Sequence, residues 1–477
     1  MQTALPAGPS AAAQYRYAYI WTISLVAALG GLLFGYDWVV IGGAKPFFER
    51  YFGISGEEHA DFSAWVNSCA LLGCLVGALA AGALSDRFGR KRLLILSAVI
   101  FAVTSLGNAL AGSLALFIAW RVLGGVAIGL ASNLSPMYIA EIAPASLRGR
   151  LVSINQLTIV IGILLAQFVN WYIARDFPKG KGPAFEALIA GTWFVNDAWR
   201  WMFALTAVPS LLFFFGMFFV PESPRWLAKN GQSARAGAVL EKIGGQGYSA
   251  AALAEIETTL VNETGRVDFR ELLDPRMARV LFLGVALAVF QQWCGINVIF
   301  NYAEEIFKHA GYDISDTLKN IAWTGSVNLV FTFVALGVVD RGGRRPLMLL
   351  GAAGLAVIYV ALGAGYHYQV TGWPMLVLVL AAIGCYGMSL APVTWVVISE
   401  IFPNRIRGAA MSVAVTSLWL ACFLLTYSFP KLQKALGPDG VFWLYAAICV
   451  AGFALIWFRL PETKGKTLED IERELVD

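Results

Sequence analysis

The sequence predicts an all-α polytopic membrane protein, with twelve transmembrane helices in two pseudo-symmetric six-helix bundles. Three observations lead there. Of the 477 residues, 58% are hydrophobic and only 14% charged, with a mean hydropathy of +0.66, whereas soluble domains are charged at about a quarter of positions. Apolar stretches of about 18 residues or more, each long enough to cross a bilayer, recur about twelve times. Finally, short charged motifs of the first half return in the second at nearly the same spacing.

In chain order, residues 1–17 ("MQTALPAGPSAAAQYRY") lack the apolar core of a cleaved signal peptide and read as a short flexible tail. Residues 18–220 hold six spans, at 18–41, 63–84, 93–111, 114–137, 151–173 and 199–220. The segment 221–278 is polar and amphipathic and reads as a cytoplasmic helical linker. Residues 279–460 hold six more spans, at 279–307, 318–339, 347–367, 374–399, 408–428 and 440–459, and 461–477 form a cytoplasmic tail. The repeat is visible in "SDRFGRKR" (85–92) against "VDRGGRRP" (339–346), and in "EIAPASLRGR" (141–150) against "EIFPNRIRGA" (400–409). "PESPRWL" (221–227) and "PETKGKTL" (461–468) close the two halves.

The basic clusters follow even-numbered spans, and short Lys/Arg-rich loops stay on the cytoplasmic side. Both termini are therefore expected in the cytoplasm, with the protein in a cell membrane (bacterial inner membrane). Lys179 and Lys181 fall in a loop assigned to the other side, so the charge bias is incomplete. Topology accounts for these loops without nucleic acid as a partner. The six cysteines all lie in predicted spans, no Cys/His cluster occurs and only three His are present. No metal site or cofactor is expected, and no nucleophile–base pair or phosphate loop points to an enzyme.

Duplicated six-helix halves imply a transporter whose substrate binds near the midplane between them. The loop charges then take on a possible use. Asp86 with Arg87 and Arg90, and Glu141 with Arg148, in one half, and Asp340, Arg341, Arg344, Glu400 and Arg407 in the other, can form charge-assisted bonds that shut one end of the cavity. The alternative is that they set topology alone, with Gly89 and Gly343 as turn residues.

Within the spans two features stand out. "LLFGYDWVV" (32–40) places the acid Asp37 in an apolar run, and "LFIAWRVLGG" places Arg121 in the fourth span. Intramembrane charges mark functional sites and come with partners. "QQWCGIN" puts Gln291, Gln292 and Asn297 on the seventh span, with Gly295 allowing a local break. Amides both donate and accept, which suits a polyol ligand; interhelical hydrogen bonding is the other explanation.

"DRFGRKR", "PESPRWL", "QQWCGINVIFNYAEEIF", "DRGGRRP" and "PETKGKTLEDIE" together resemble the sugar porter family of the major facilitator superfamily. "GLLFGYD" and "NQLTIVIG" look closest to its bacterial proton-coupled monosaccharide symporters. The resemblance implies symport of a pentose or hexose with a proton by alternating access, for which a monomer in the lipid bilayer suffices. It implies that Asp37 takes up the proton and Arg121 tunes it. It also implies that Gln156, Gln291, Gln292, Asn297, Asn328 and Trp395 bind the sugar; Phe34, one turn before Asp37, either lines the same cavity or packs in the core. Gln167 is a weaker candidate. Three positions depart from the family pattern: Asn301 stands where a Tyr is usual, Leu418 where an amide is usual, and Gly387 where facilitative relatives place an acid. An uncoupled uniporter, and a static Asp37–Arg121 pair, remain the alternatives; Glu304 and Glu305 are rival acids, placed beside Lys308 where solvation would be possible.

Overall fold

Two glycines and two glutamates set the symmetry of the molecule. In the computed structural model, which describes residues 15–178, 180, 182–262, 274–309, 311–312, 314–402, 407–464, 466 and 474–475, α2 (Ala60–Phe88) passes to α3 (Arg90–Ala109) through Gly89, at φ 93°. In the second half α8 (Ile314–Gly342) passes to α9 (Arg344–His367) through Gly343, at φ 82°. This backbone conformation strains any residue with a Cβ. The first amides of a helix lack carbonyl partners and its N-terminal dipole favours an anion. Glu222 fills that role for α3, its Oε1 accepting from the Arg90 and Lys91 amides at 3.0 and 3.1 Å. Glu462 does the same for α9, accepting from the Arg344 and Arg345 amides at 3.0 and 3.1 Å. The repeated Pro-Glu motifs therefore clamp the loop that begins the third helix of each half.

The remaining spans are α1 (Tyr17–Tyr51), α4 (Leu114–Ile142), α5 (Ala145–Ala174), α6 (Phe194–Phe218), α7 (Pro275–Asn301) and α10 (Trp373–Ile401). The last apolar segment, Ala409–Arg459, runs for 51 residues but breaks at Gly437 (φ 74°), so it is two helices, α11 at 407–436 and α12 at 438–459. Eleven apolar segments thus make twelve helices. Local sequence explains their starts: Ser113 caps α4 through the Leu116 amide, and Asp274 caps α7 through the Arg276 amide with Pro275 in the first turn.

α1 extends beyond the predicted end at residue 41, through Gly42-Gly43 and Pro46 to Tyr51. It lies against α5 closely enough that a Cβ at Gly35 would strike the Ile159 carbonyl, and one at Gly162 the Leu32 carbonyl. The outer surface is apolar, with Phe215, Phe282, Val357 and Leu212 largely exposed, as a lipid-facing surface requires. The polar linker forms the helices Pro224–Lys229 and Ser233–Asn262, the latter kinked at Gly245.

The start of α1, where the Arg16 amide donates to the Ile243 carbonyl of the linker, lies at the same end of the bundle as the Arg-rich loops, which the linker meets through Lys229 and Asp86. At the opposite end α1 meets the short helix Ala303–His309 that follows α7: Lys45 of α1 is buried, bonds to Glu305 and lies 4.8 Å from the Tyr302 ring centre. Lys431 of α11 reaches Asp61 of α2 at 3.8 Å there. Deeper in, α5 meets α8, where the Gln167 amide donates to Thr324 at 3.3 Å. The two halves are joined at this far end.

Candidate functional site

Asp37 and Arg121 come together at the centre of the first half. Arg121 Nη1 lies 3.3 and 3.2 Å from the two carboxylate oxygens of Asp37, and the residues are only 5% and 3% exposed. The guanidinium carbon also sits 5.4 Å from the Phe203 ring of α6. A buried pair of this kind holds because each charge compensates the other; removing one strands its partner at a cost of about 3–5 kcal/mol.

Across the midplane, α7 breaks at Gly295, whose φ of 88° is left-handed. The break rotates the amides on either side of it onto one face. Asn297 donates to Gln292 Oε1, Gln292 donates to Gln291 Oε1, and Gln291 donates to the Tyr386 hydroxyl of α10 at 2.7 Å. All four residues are buried. The row is self-satisfied, and each member is a donor and acceptor that can exchange a neighbour for a hydroxylated ligand. Tyr386 was not marked by any sequence pattern; only the fold places α10 against α7.

The other expected sugar residues surround this row unevenly. Asn328 of α8 is buried and points at α10, its Oδ1 lying where a side chain at Gly387 would stand: a Cβ there would be 2.9 Å away. The glycine departure is thus what makes room for this amide. Gln156 is half-buried on α5 and Trp395 is partly exposed on α10. Phe34 packs against Trp38 of its own helix and Trp419 of α11, at ring separations of 5.8 and 5.9 Å. These three rings join the two halves.

The loop charges are wired differently from the sequence expectation. Arg90 bonds Glu141 at 3.0 Å and Asp86 at 3.1 Å, and Lys229 of the linker joins Asp86 at 2.9 Å. Glu141 thus takes Arg90 rather than Arg148, which is exposed, and Arg87 lies over the Phe88 ring. In the second half Arg344 lies 3.5 Å from Glu400. The side chains of Asp340, Arg341 and Arg407 lie outside the described residues. Apart from Lys229 of the linker, each of these pairs joins residues of the same half, in contrast to the Lys45–Glu305 pair at the far end.

Glu305 corrects a second expectation. Its side chain keeps 22% exposure, as its expected place near water allows, but α1 runs on far enough to bring buried Lys45 to it as a partner, with Glu49 one turn along at 3.9 Å from the same ammonium group. A Lys eight positions after Asp37, on one continuous helix, was the available signal; the Gly-Gly pair and the polar "KPFFER" made it read as loop. Among the described residues no group of three His, Cys, Asp or Glu could hold a metal ion.

The family model described as sugar (and other) transporter matches residues 23–475. The chain is 39% identical to the D-xylose-proton symporter of Escherichia coli K12 over 487 aligned positions, covering 96% of each chain. It is 36% identical to the arabinose-proton symporter of Bacillus subtilis, again over 96% of each. Its structure resembles the inward open conformation of the xylose transporter XylE from E. coli with a TM-score of 0.82, at 38% identity, covering 96% of this chain and 100% of that one.

Proposed function

The chain belongs to the sugar (and other) transporter family, and from that membership we propose that it carries a monosaccharide together with a proton across a cell membrane by alternating access. Its relatives named as xylose-, arabinose- and galactose-proton symporters support coupled transport. The observation that carries the reading for this chain is the buried Asp37–Arg121 pair, 3.2 Å apart and close to the contact between the two halves.

The arrangement is read as the inward-facing state. The Arg-rich loops and both termini are assigned to the cytoplasm by their positive charge, and the closed end, with Lys45 and Glu305, is assigned to the outside. The multi-pass chain is assigned to the bacterial inner membrane and acts as a monomer. The loop charges Asp86, Arg90, Glu141, Arg344 and Glu400 are read as a gate on the inner side that stays within each half while that side is open.

Facing out, Asp37 meets water and accepts a proton, which cancels its charge and releases the Arg121 guanidinium. The neutral acid lowers the desolvation cost of occlusion. Facing in, the guanidinium favours the ionised carboxylate and the proton leaves. Sugar binds between the halves: Gln291, Gln292 and Asn297 exchange their mutual bonds for ring hydroxyls, Gln156 and Asn328 supply further polar contacts, and Phe34 and Trp395 cover apolar faces. A site that bonds each hydroxyl discriminates against sugars lacking one.

Asp37→Asn tests the reading in proteoliposomes. Accumulation of sugar against its gradient is expected to vanish while sugar exchange at equal concentrations persists. An Asp37→Asn variant that still concentrates sugar would falsify the assignment, and sugar entry in the wild-type protein with no accompanying proton would make it an uncoupled facilitator.

A further inference from the structure

Beside Arg121, where the two halves meet at Asn301, lies a small void with about 10 Å³ of room for a water centre. Its walls come from three helices of the first half, through Trp38 and Ile41, Asn67 and Cys74, and Arg121, and from a single residue of the second half, Asn301. Two polar atoms at buried residues of this wall, Arg121 Nε and Asn67 Oδ1, have no hydrogen-bond partner within the protein. Asn67 uses its Nδ2 on the Ser63 carbonyl at 3.0 Å, so its oxygen is left to face elsewhere. A space of roughly 10–15 Å³ holds one water if two to four polar groups surround it. Here the guanidinium N–H donates, the Asn67 oxygen accepts, and the Asn301 amide can do either.

We infer that Asn301 is a positioning residue that couples the protonation of Asp37 to sugar binding on α7. This rests on the reading of Asp37 as the proton site. Asn301 lies one helical turn beyond Asn297, on the same short helix Ile296–Asn301 that follows the break at Gly295. A sugar that draws Asn297 out of its bond with Gln292 shifts that helix, and with it the residue that lines the void beside Arg121. In the other direction, a proton on Asp37 frees the Arg121 guanidinium to engage Asn301, directly or through one water. Such coupling is reciprocal: if protonation tightens sugar binding, sugar raises the proton affinity by the same factor. The Tyr usual at this position cannot act alike, because it brings one hydroxyl on a rigid ring where Asn brings a donor and an acceptor.

Few other groups face this pair that could mimic the effect. On α1 Tyr36 adjoins Asp37, on α2 Cys69 lies within electrostatic reach of Arg121 and Cys74 within reach of both charges, and on α11 Cys422 lies near Cys74. Phe203 and Thr206 on α6 do not titrate. Lys45, two turns along α1, is held by Glu305 and Glu49. Tyr and Cys ordinarily titrate above neutrality, near about 10 and 8.5, so these neighbours do not mimic a response between mildly acidic and neutral pH.

The test is equilibrium binding of D-xylose, L-arabinose, D-galactose and D-glucose to the full chain in lipid nanodiscs, at mildly acidic and at neutral pH. For whichever probe binds, the wild-type acid-to-neutral affinity ratio is expected in the roughly 5–150-fold range of coupled sites. In Asn301→Leu it is expected to collapse to about one, and Asn301→Gln to recover part of it. Asn301→Val gives the same readout if the Leu variant does not fold. A ratio unchanged in both apolar variants overturns the inference, as does an equal loss of affinity at both pH values, which marks a plain sugar contact. Asp37→Asn is the parallel control: if that variant keeps the pH response, the proton assignment itself is wrong.

Discussion

Gln291, Gln292 and Asn297 spend their hydrogen bonds on one another and on Tyr386 while no ligand competes for them, so the middle member matters most. Gln292→Ala removes an acceptor from Asn297 and a donor from Gln291 at once. Leaving buried amides unpaired costs about 1–3 kcal/mol, and the expected fall in sugar affinity is about 5- to 150-fold, read by calorimetric titration. Tyr386→Phe removes only the terminal acceptor and is expected to cost about 1 kcal/mol, roughly a fivefold loss. The order of these two effects is the check: a Tyr386 variant more damaging than the Gln292 variant contradicts the row as described. At this scale the sequence was informative wherever a polar side chain sat in an apolar run, as with Asp37, Arg121 and the three amides. It was silent about Tyr386 and Trp419, whose residue types are common in any membrane helix and whose roles depend on which helices touch.

At the scale of elements, the break in α7 and the two loop clamps carry the predictions. Gly295 has a left-handed backbone, and a Cβ there would stand 2.8 Å from the Tyr445 ring. Gly295→Ala is expected to cost about 1–2 kcal/mol from backbone conformation alone, seen as a lower thermal midpoint in detergent. Glu462 lies in the clamp on α9; burial works against its charge, but donated amides from Lys464, Arg344, Arg345 and Thr463 outweigh it and hold the carboxyl below its ordinary 4.5. A depressed carboxylate contributes stability that is intact above its ordinary range and lost as pH falls through the folded value. Acid below about pH 4.5 is therefore expected to loosen the clamp, and Glu462→Gln to flatten that part of the stability-versus-pH curve. The sequence revealed the Pro-Glu repeat but not its purpose, because the helix start it caps lies more than a hundred residues away. Span ends were the other blind spot: α1 continues past residue 41 because one turn of Gly-Gly and Pro46 is tolerated inside a well-packed helix.

At the scale of the molecule, the twelve-helix plan was legible because lipid imposes it: long apolar runs and basic loops follow from hydrogen-bond satisfaction and charge placement. Which end stands open was not legible, since one sequence must serve both states. The joined end holds Lys45 and Glu305 across the halves, and these predict an asymmetry between variants. Lys45→Met leaves Glu305 and Glu49 without their shared cation and is expected to shift molecules toward opening at that end. Glu305→Gln is milder, because Lys45 keeps Glu49 at 3.9 Å. Spin-label distances between the far ends of α1 and α7 measure this; equal shifts in the two variants would remove the special place of Glu49.

That neighbouring carboxylate has an electrical corollary. When α1 and α7 part, the ammonium group of Lys45 trades one acid for another on its own helix, and no bare ion is dragged through the field. Arg121 and Asp37 likewise belong to helices of the same half. The protein's own charges return to their places in a full cycle, so on the reading of Asp37 as the one proton carrier a single hydrogen ion traverses the membrane voltage, at about 2.3 kcal/mol per 100 mV. The current drawn by the protein in a planar bilayer should therefore count sugar molecules one for one.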